Sequence, residues 1–147
     1  MKTLFFAGNL FGRLLNNAGL ISDTGPTSQA NIDLSSGVSN SGTLDLQGIL
    51  NVTGPYTQTA DGTLTIVFGT SGTNGEVKVN GQASLDGTLN VNTPKGFSPT
   101  DGQTFTILTF SSVVGDFSTF SGLNLGHGQT LTPSENSTTY TLTVTAS

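Results

Sequence analysis

Hydroxyl groups dominate the reactive inventory of this sequence, and groups able to activate them are scarce. The chain carries 25 Thr and 16 Ser but a single histidine, His127, set in Leu125-Gly-His-Gly128. A Ser or Thr nucleophile needs a base to take its proton, and a glycine-flanked histidine reads as an exposed turn residue instead. Glycoside cleavage needs two carboxyl groups at a fixed separation. The 9 acids lie singly along the chain. Asp33, Asp45 and Asp61 are a set that stacking could bring to one face, but they read instead as solvated outward acids. Asp61, Asp86 and Asp101 each precede glycine, the composition of a tight turn. The Gly-Gly-x-Gly-x-Asp repeats of a calcium-binding roll do not occur. With no Cys there is no thiol chemistry, no disulfide framework and no Cys-based zinc site. No catalytic, cofactor-binding or metal-binding residue is expected, and the chain does not read as an enzyme.

The hydroxyls suit contact better than catalysis. Thr104, Thr106, Thr141, Thr143 and Thr145 alternate with apolar residues, so they fall on one side of a strand at repeats of about 6.8 Å. Such an outward threonine ladder suits a glycan or another surface as ligand, ice included. Thr is also a default strand residue. The segment around Thr138, Tyr140, Leu142 and Val144 is long, alternating and uncharged, with Glu135 nearby. It is the candidate strand for self-association by edge pairing. Asn51-Val-Thr53 and Asn136-Ser-Thr138 fit the glycosylation sequon.

What must position these residues is a chain of 147 residues, enough for one domain. Charged residues make up 9% and the net charge is −5. Only 4 basic residues are present, too few to neutralise a phosphate backbone, so nucleic acid is excluded as a partner. No apolar run reaches the ~20 residues of a membrane-spanning helix. Met1 to Ala7 begins like a signal peptide, with Lys2 before apolar residues. Gly8, Asn9, Gly12 and Arg13 interrupt it before a long apolar region develops. The start therefore reads as the beginning of an excised piece. Leu4 to Leu15 carries a weak helical stripe, interrupted by Gly8 and Gly12.

Elsewhere the period is two. Leu44-Asp-Leu46, Leu50-Asn-Val52, Leu64-Thr-Ile66, Val77-Lys-Val79, Leu89-Asn-Val91, Phe105-Thr-Ile107 and Tyr140 to Val144 place aliphatics inward and Thr, Asn or Asp outward. Glycines punctuate at spacings of six, at Gly42, Gly48 and Gly54 and again at Gly75, Gly81 and Gly87. The tripeptide Gly-Thr-Leu recurs at Gly42, Gly62 and Gly87 in the same strand phase. Short strands separated by tight corners give an all-β fold, a parallel β-helix or β-solenoid whose inward aliphatics form one core. A β-sandwich is the alternative, because alternation alone does not separate the two. Beyond Gly96 the strands lengthen and Phe97, Phe105, Phe110, Phe117, Phe120 and Tyr140 appear. The chain therefore divides into an N-terminal segment or cap (1–14), solenoid coils (15–96) and a hairpin-rich C-terminal cap (97–147), whose aromatics plug the open end.

The run from Gly42 to Gln58, Gly-Thr-Leu-Asp-Leu-Gln-Gly-Ile-Leu-Asn-Val-Thr-Gly-Pro-Tyr-Thr-Gln, followed by Gly62-Thr-Leu-Thr-Ile66, resembles the passenger-associated strand repeat of bacterial autotransporters. The tail resembles the end of such passengers. Leu15 to Leu20 and Ser39 to Leu44 are similar to haemagglutinin-like repeats of large surface proteins. The resemblance covers most of residues 15–147 and implies a right-handed β-helix exported to a bacterial surface. It implies a structural role as adhesin stalk, passenger scaffold or self-assembling fibre subunit, partnered by itself or by neighbouring segments of a longer surface protein. That family carries a translocator barrel after the repeats. This chain stops at Ser147, as expected of a segment of a longer protein or of a subunit that borrows the scaffold.

Overall fold

The structure, a computed structural model, describes the backbone of residues 3–5, 8–12, 15–22, 29–34, 36–69 and 72–146, and the side chains of 15–22, 36–69 and 72–146. Alternation produces strands almost everywhere, and among the described residues there is no helix. The strands form three sheets. In the first, β1 (Thr3–Phe5), β4 (Leu20–Ser22), β7 (Thr43–Leu46), β10 (Thr63–Val67), β13 (Thr88–Asn92) and β16 (Thr119–Ser121) lie side by side. The third holds β3 (Leu15–Asn17), β6 (Val38–Asn40), β9 (Tyr56–Gln58), β12 (Gln82–Leu85) and β15 (Ser112–Gly115). The second runs β2 (Gly8–Gly12), β5 (Gln29–Leu34), β8 (Ile49–Thr53), β11 (Glu76–Asn80) and β14 (Thr104–Thr109), then continues through β19 (Thr139–Ala146), β18 (Gln129–Glu135) and β17 (Asn124–Gly126).

From β1 to β13 each strand pairs in parallel with the strand three places on, the last of these pairs being β13 with β16. That is not the neighbouring-hairpin pattern of an antiparallel sandwich. The segment with the weak helical stripe is instead strand β1 and strand β2, paired in parallel with β4 and β5. Gly8 and Gly12 disfavour a helix, and parallel partners supply the backbone hydrogen bonds that an isolated turn of helix would lack. The side chains of residues 1–14, and all of residues 1, 2, 6, 7, 13 and 14, lie outside the described residues.

Parallel register stacks like on like. The three Gly-Thr-Leu copies coincide: Thr43, Thr63 and Thr88 are neighbours, as are Leu44, Leu64 and Leu89. Ile21 extends the leucine column on one side and Phe120 on the other. Leu46, Ile66 and Val91 form the next column. Leu44, Leu64, Ile66 and Leu89 are fully buried, each contributing roughly 1.5–3 kcal/mol relative to exposure. The corner glycines stack differently from what their six-residue spacing suggests. Gly81 lies over Gly54 and Gly87 over Gly62, so the two triads do not superpose member on member. Corner and insert lengths differ between turns of the chain, and strand register decides which glycines meet. At Gly42 the backbone of the adjacent layer comes so close that an added Cβ would sit 2.2 Å from the Gly19 carbonyl oxygen.

One polar column runs through the core. Asn17, Asn40 and Gln58 occupy equivalent positions at the ends of β3, β6 and β9 and are 6%, 0% and 2% exposed. Asn17 Nδ2 donates to Asn40 Oδ1 at 2.9 Å, and Asn40 Nδ2 donates to Gln58 Oε1 at 3.2 Å. Each amide also donates to a main-chain carbonyl entering the first sheet: Thr43 at 2.9 Å, Thr63 at 3.0 Å and Thr88 at 3.0 Å. Tyr56 Oη donates to Gln58 Oε1 at 2.7 Å. Burial pushes the Tyr56 phenol above its ordinary pKa, so it stays a donor. Expected asparagine ladders faced outward; this one faces inward, where a primary amide can both donate and accept along the stack.

Candidate functional site

Beyond β14 the direction reverses. β19 pairs antiparallel with β14 and with β18, and the turn between β18 and β19 is held by Asn136, whose Oδ1 accepts from the Thr138 and Thr139 amides at 2.9 and 2.8 Å. Of the candidate self-association strand, Thr138 lies in that exposed turn, while Tyr140, Leu142 and Val144 point inward and are at most 1% exposed. Both edges of β19 are therefore occupied within the chain. Its inward apolar residues favour that placement, since an edge strand would leave them open to water.

The candidate threonines lie on the adjacent strands β14 and β19. Thr104 pairs with Thr143 and Thr106 with Thr141. Thr145 lies opposite Thr130, and Thr143 lies opposite Thr132. Thr104 and Thr143 share a hydroxyl hydrogen bond at 3.1 Å, and Thr132 and Thr145 share one at 2.9 Å. Their side of the β14–β19–β18 sheet is exposed or half-exposed, while the intervening Phe105, Leu131, Leu142 and Val144 are buried. Sequence reading missed Thr130 and Thr132. Their alternation around Leu131 was the available signal.

The open edges are elsewhere. β15 ends the third sheet and β16 the first. Phe120, last in the leucine column, is 37% exposed, and Val114, whose neighbour in β12 is Ser84, is 55% exposed. They are the exposed large hydrophobic residues among the described residues. Behind this end the aromatics close the core. Phe117 packs edge-on against Tyr140 at 5.3 Å and against Phe120 at 6.3 Å. Tyr140 Oη donates to Asp116 Oδ1 at 2.8 Å. Burial and the neighbouring acids raise the Tyr140 phenol. Burial, and then the Asp116 charge, raises the Glu135 carboxyl.

The three acids considered for stacking lie apart. Asp33 is on β5 of the second sheet, Asp45 on β7 of the first, and Asp61 in the corner before β10; the Asp33 side chain lies outside the described residues. Among the described residues no three metal-ligating side chains cluster, and no helix is long and apolar enough to cross a membrane. His127 occupies the turn between β17 and β18 with φ of +51°. It borders a cleft shared with Lys95 and Phe97, a grouping sequence spacing does not reveal. No protein-family model matches the chain, and no curated protein is significantly similar to it.

Proposed function

We propose that this chain is a right-handed β-solenoid serving as a non-enzymatic structural segment of a bacterial extracellular or cell-surface protein: a stalk, passenger scaffold or self-assembling fibre subunit. The observation that carries this reading is the unbroken pairing of every strand from β1 to β13 with the strand three places on. Such a layout buries each layer only against its neighbours, so layers add without redesign. Parallel crossovers are right-handed in nearly all proteins, which supplies the hand. The resemblance to passenger repeats supports the surface location, and Tyr56 and Gln58, two residues of that motif, form part of the polar core. The ends of the stack are the working surface in this reading, because β15 and β16 present unpaired backbone beside Val114 and Phe120.

Negative-stain electron microscopy across a range of concentrations tests it. End-to-end stacks or fibres in the native chain, lost in Val114→Lys/Phe120→Lys, are expected. Discrete particles at every concentration would overturn the assembly role. The hydroxyl face on β14, β19 and β18 favours a second reading, a glycan- or surface-binding module. In that case Thr143→Lys would abolish adsorption to the ligand surface and leave particle length unchanged.

A further inference from the structure

We propose that the cleft between the 93–98 corner and the β17–β18 turn binds an acidic sugar, with Lys95 and His127 on its carboxylate and Phe97 against its ring. The cleft measures about 360 Å³, within the range of roughly 300–1,000 Å³ typical of small-ligand sites. Its charge runs against the net charge of the chain. The chain carries a net charge of −5, and Lys78 and Lys95 supply the Lys and Arg cations among the described residues. Lys95 nevertheless lines this cleft together with the only histidine, and no acid lines it. An ammonium and an imidazole N–H without a competing carboxylate favour an anionic ligand group.

The remaining walls suit a sugar better than a bare anion. Phe97 is half-buried and braced by ring contacts with Phe68 at 5.2 Å and Phe105 at 6.0 Å, so it offers a fixed apolar surface of the kind that packs against a ring's C–H face. Thr93 and Ser98 add hydroxyls to the lining. Gln129 Nε2 donates to the Pro99 carbonyl at 3.3 Å, which ties the hairpin wall to the corner wall. The turn holds the imidazole in place. Gly126, His127 and Gly128 have φ of +79°, +51° and +79° in succession. Among the described residues, His127 is the one non-glycine residue in that region. Glycine would adopt this conformation without strain. His127 and Gly128 are the two loop residues between the paired Gly126 and Gln129, and a tight hairpin turn of this kind takes φ > 0 at both, which fixes the imidazole at the rim of the cleft.

The test is an NMR amide titration of the full chain with methyl β-D-glucuronide, methyl β-D-glucoside and acetate. Saturating shifts confined to 93–98 and 125–129 are expected with the glucuronide, and binding of the glucoside or of acetate should be at least about tenfold weaker. Lys95→Gln should weaken glucuronide binding about tenfold. His127→Gly should abolish the shifts while raising the melting temperature, because the strain leaves with the imidazole. No shifts with glucuronide, equal affinity for glucoside or acetate, or unchanged binding in Lys95→Gln and His127→Gly would overturn the proposal. Particle length plays no part in this readout, so failure here is distinct from failure of the assembly reading.

Discussion

Asn40→Ala puts the internal amide column to a quantitative test. The Asn40 side chain is wholly buried and makes three hydrogen bonds: it accepts from Asn17 at 2.9 Å and donates to Gln58 at 3.2 Å and to the Thr63 carbonyl at 3.0 Å. Asn17 keeps its bond to the Thr43 carbonyl, and Gln58 keeps the Tyr56 hydroxyl, so neither neighbouring amide is stranded. At about 1 kcal/mol net for each lost bond, the substitution costs roughly 3 kcal/mol. Urea unfolding at 25 °C followed by far-ultraviolet circular dichroism measures this, with an unchanged m-value expected. Asn16→Ala, one residue from the column on the exposed face of β3, should stay within about 0.5 kcal/mol of wild type. Asn40→Asp separates hydrogen bonding from packing, since it preserves shape but removes both donors. The new carboxyl would face acceptor oxygens in the dry core, so its folded pKa lies above its unfolded value. Stability of that variant is therefore best below the unfolded carboxylate range and falls as pH rises. A loss below about 1 kcal/mol for Asn40→Ala, or an Asn40→Asp variant that gains stability as pH rises from 4 to 7, would refute the column's role.

Gly42→Ala should cost about 3 kcal/mol, read as a lower urea midpoint, because its Cβ would lie 2.2 Å from the Gly19 carbonyl oxygen. Glu135 has a folded pKa raised by burial and then by Asp116. Its contribution is therefore greatest below the unfolded carboxylate range and declines toward neutral pH; Glu135→Gln should flatten that part of the melting-temperature profile between pH 4 and 7. Tyr140→Phe removes the 2.8 Å bond to Asp116 and should cost about 1.5 kcal/mol by urea unfolding. His127→Gly should gain about 1 kcal/mol in the same assay by relieving the left-handed strain.

The repeating layers were legible because their signals are local. Leu44, Leu64 and Leu89 follow Gly-Thr in one strand phase, and that phase is what the parallel register preserves. Of the C-terminal aromatics, Phe117 and Tyr140 lie buried against each other. Facing direction was harder. Asn40 and Asn51 are the same residue type on short strands, yet the first is fully buried and the second half-exposed. A strand of three residues such as Val38–Asn40 gives too little alternation to choose a face, and the amide partners that reward burial come from other layers. Pairing partners were equally hidden: nothing in Thr139 to Ala146 tells that β14 and β18 occupy its two edges. The cleft joins Lys95 and His127 through the reversal of the chain beyond β14, a tertiary event no local pattern encodes.

The stacked architecture is tested most directly by nuclear Overhauser contacts between layers in solution. The account predicts methyl contacts linking Leu44, Leu64 and Leu89, with parallel-type Hα–amide contacts joining Thr43, Thr63 and Thr88 in the register shown. Antiparallel contacts between consecutive strands such as β7 and β8, in place of that leucine column, would contradict it.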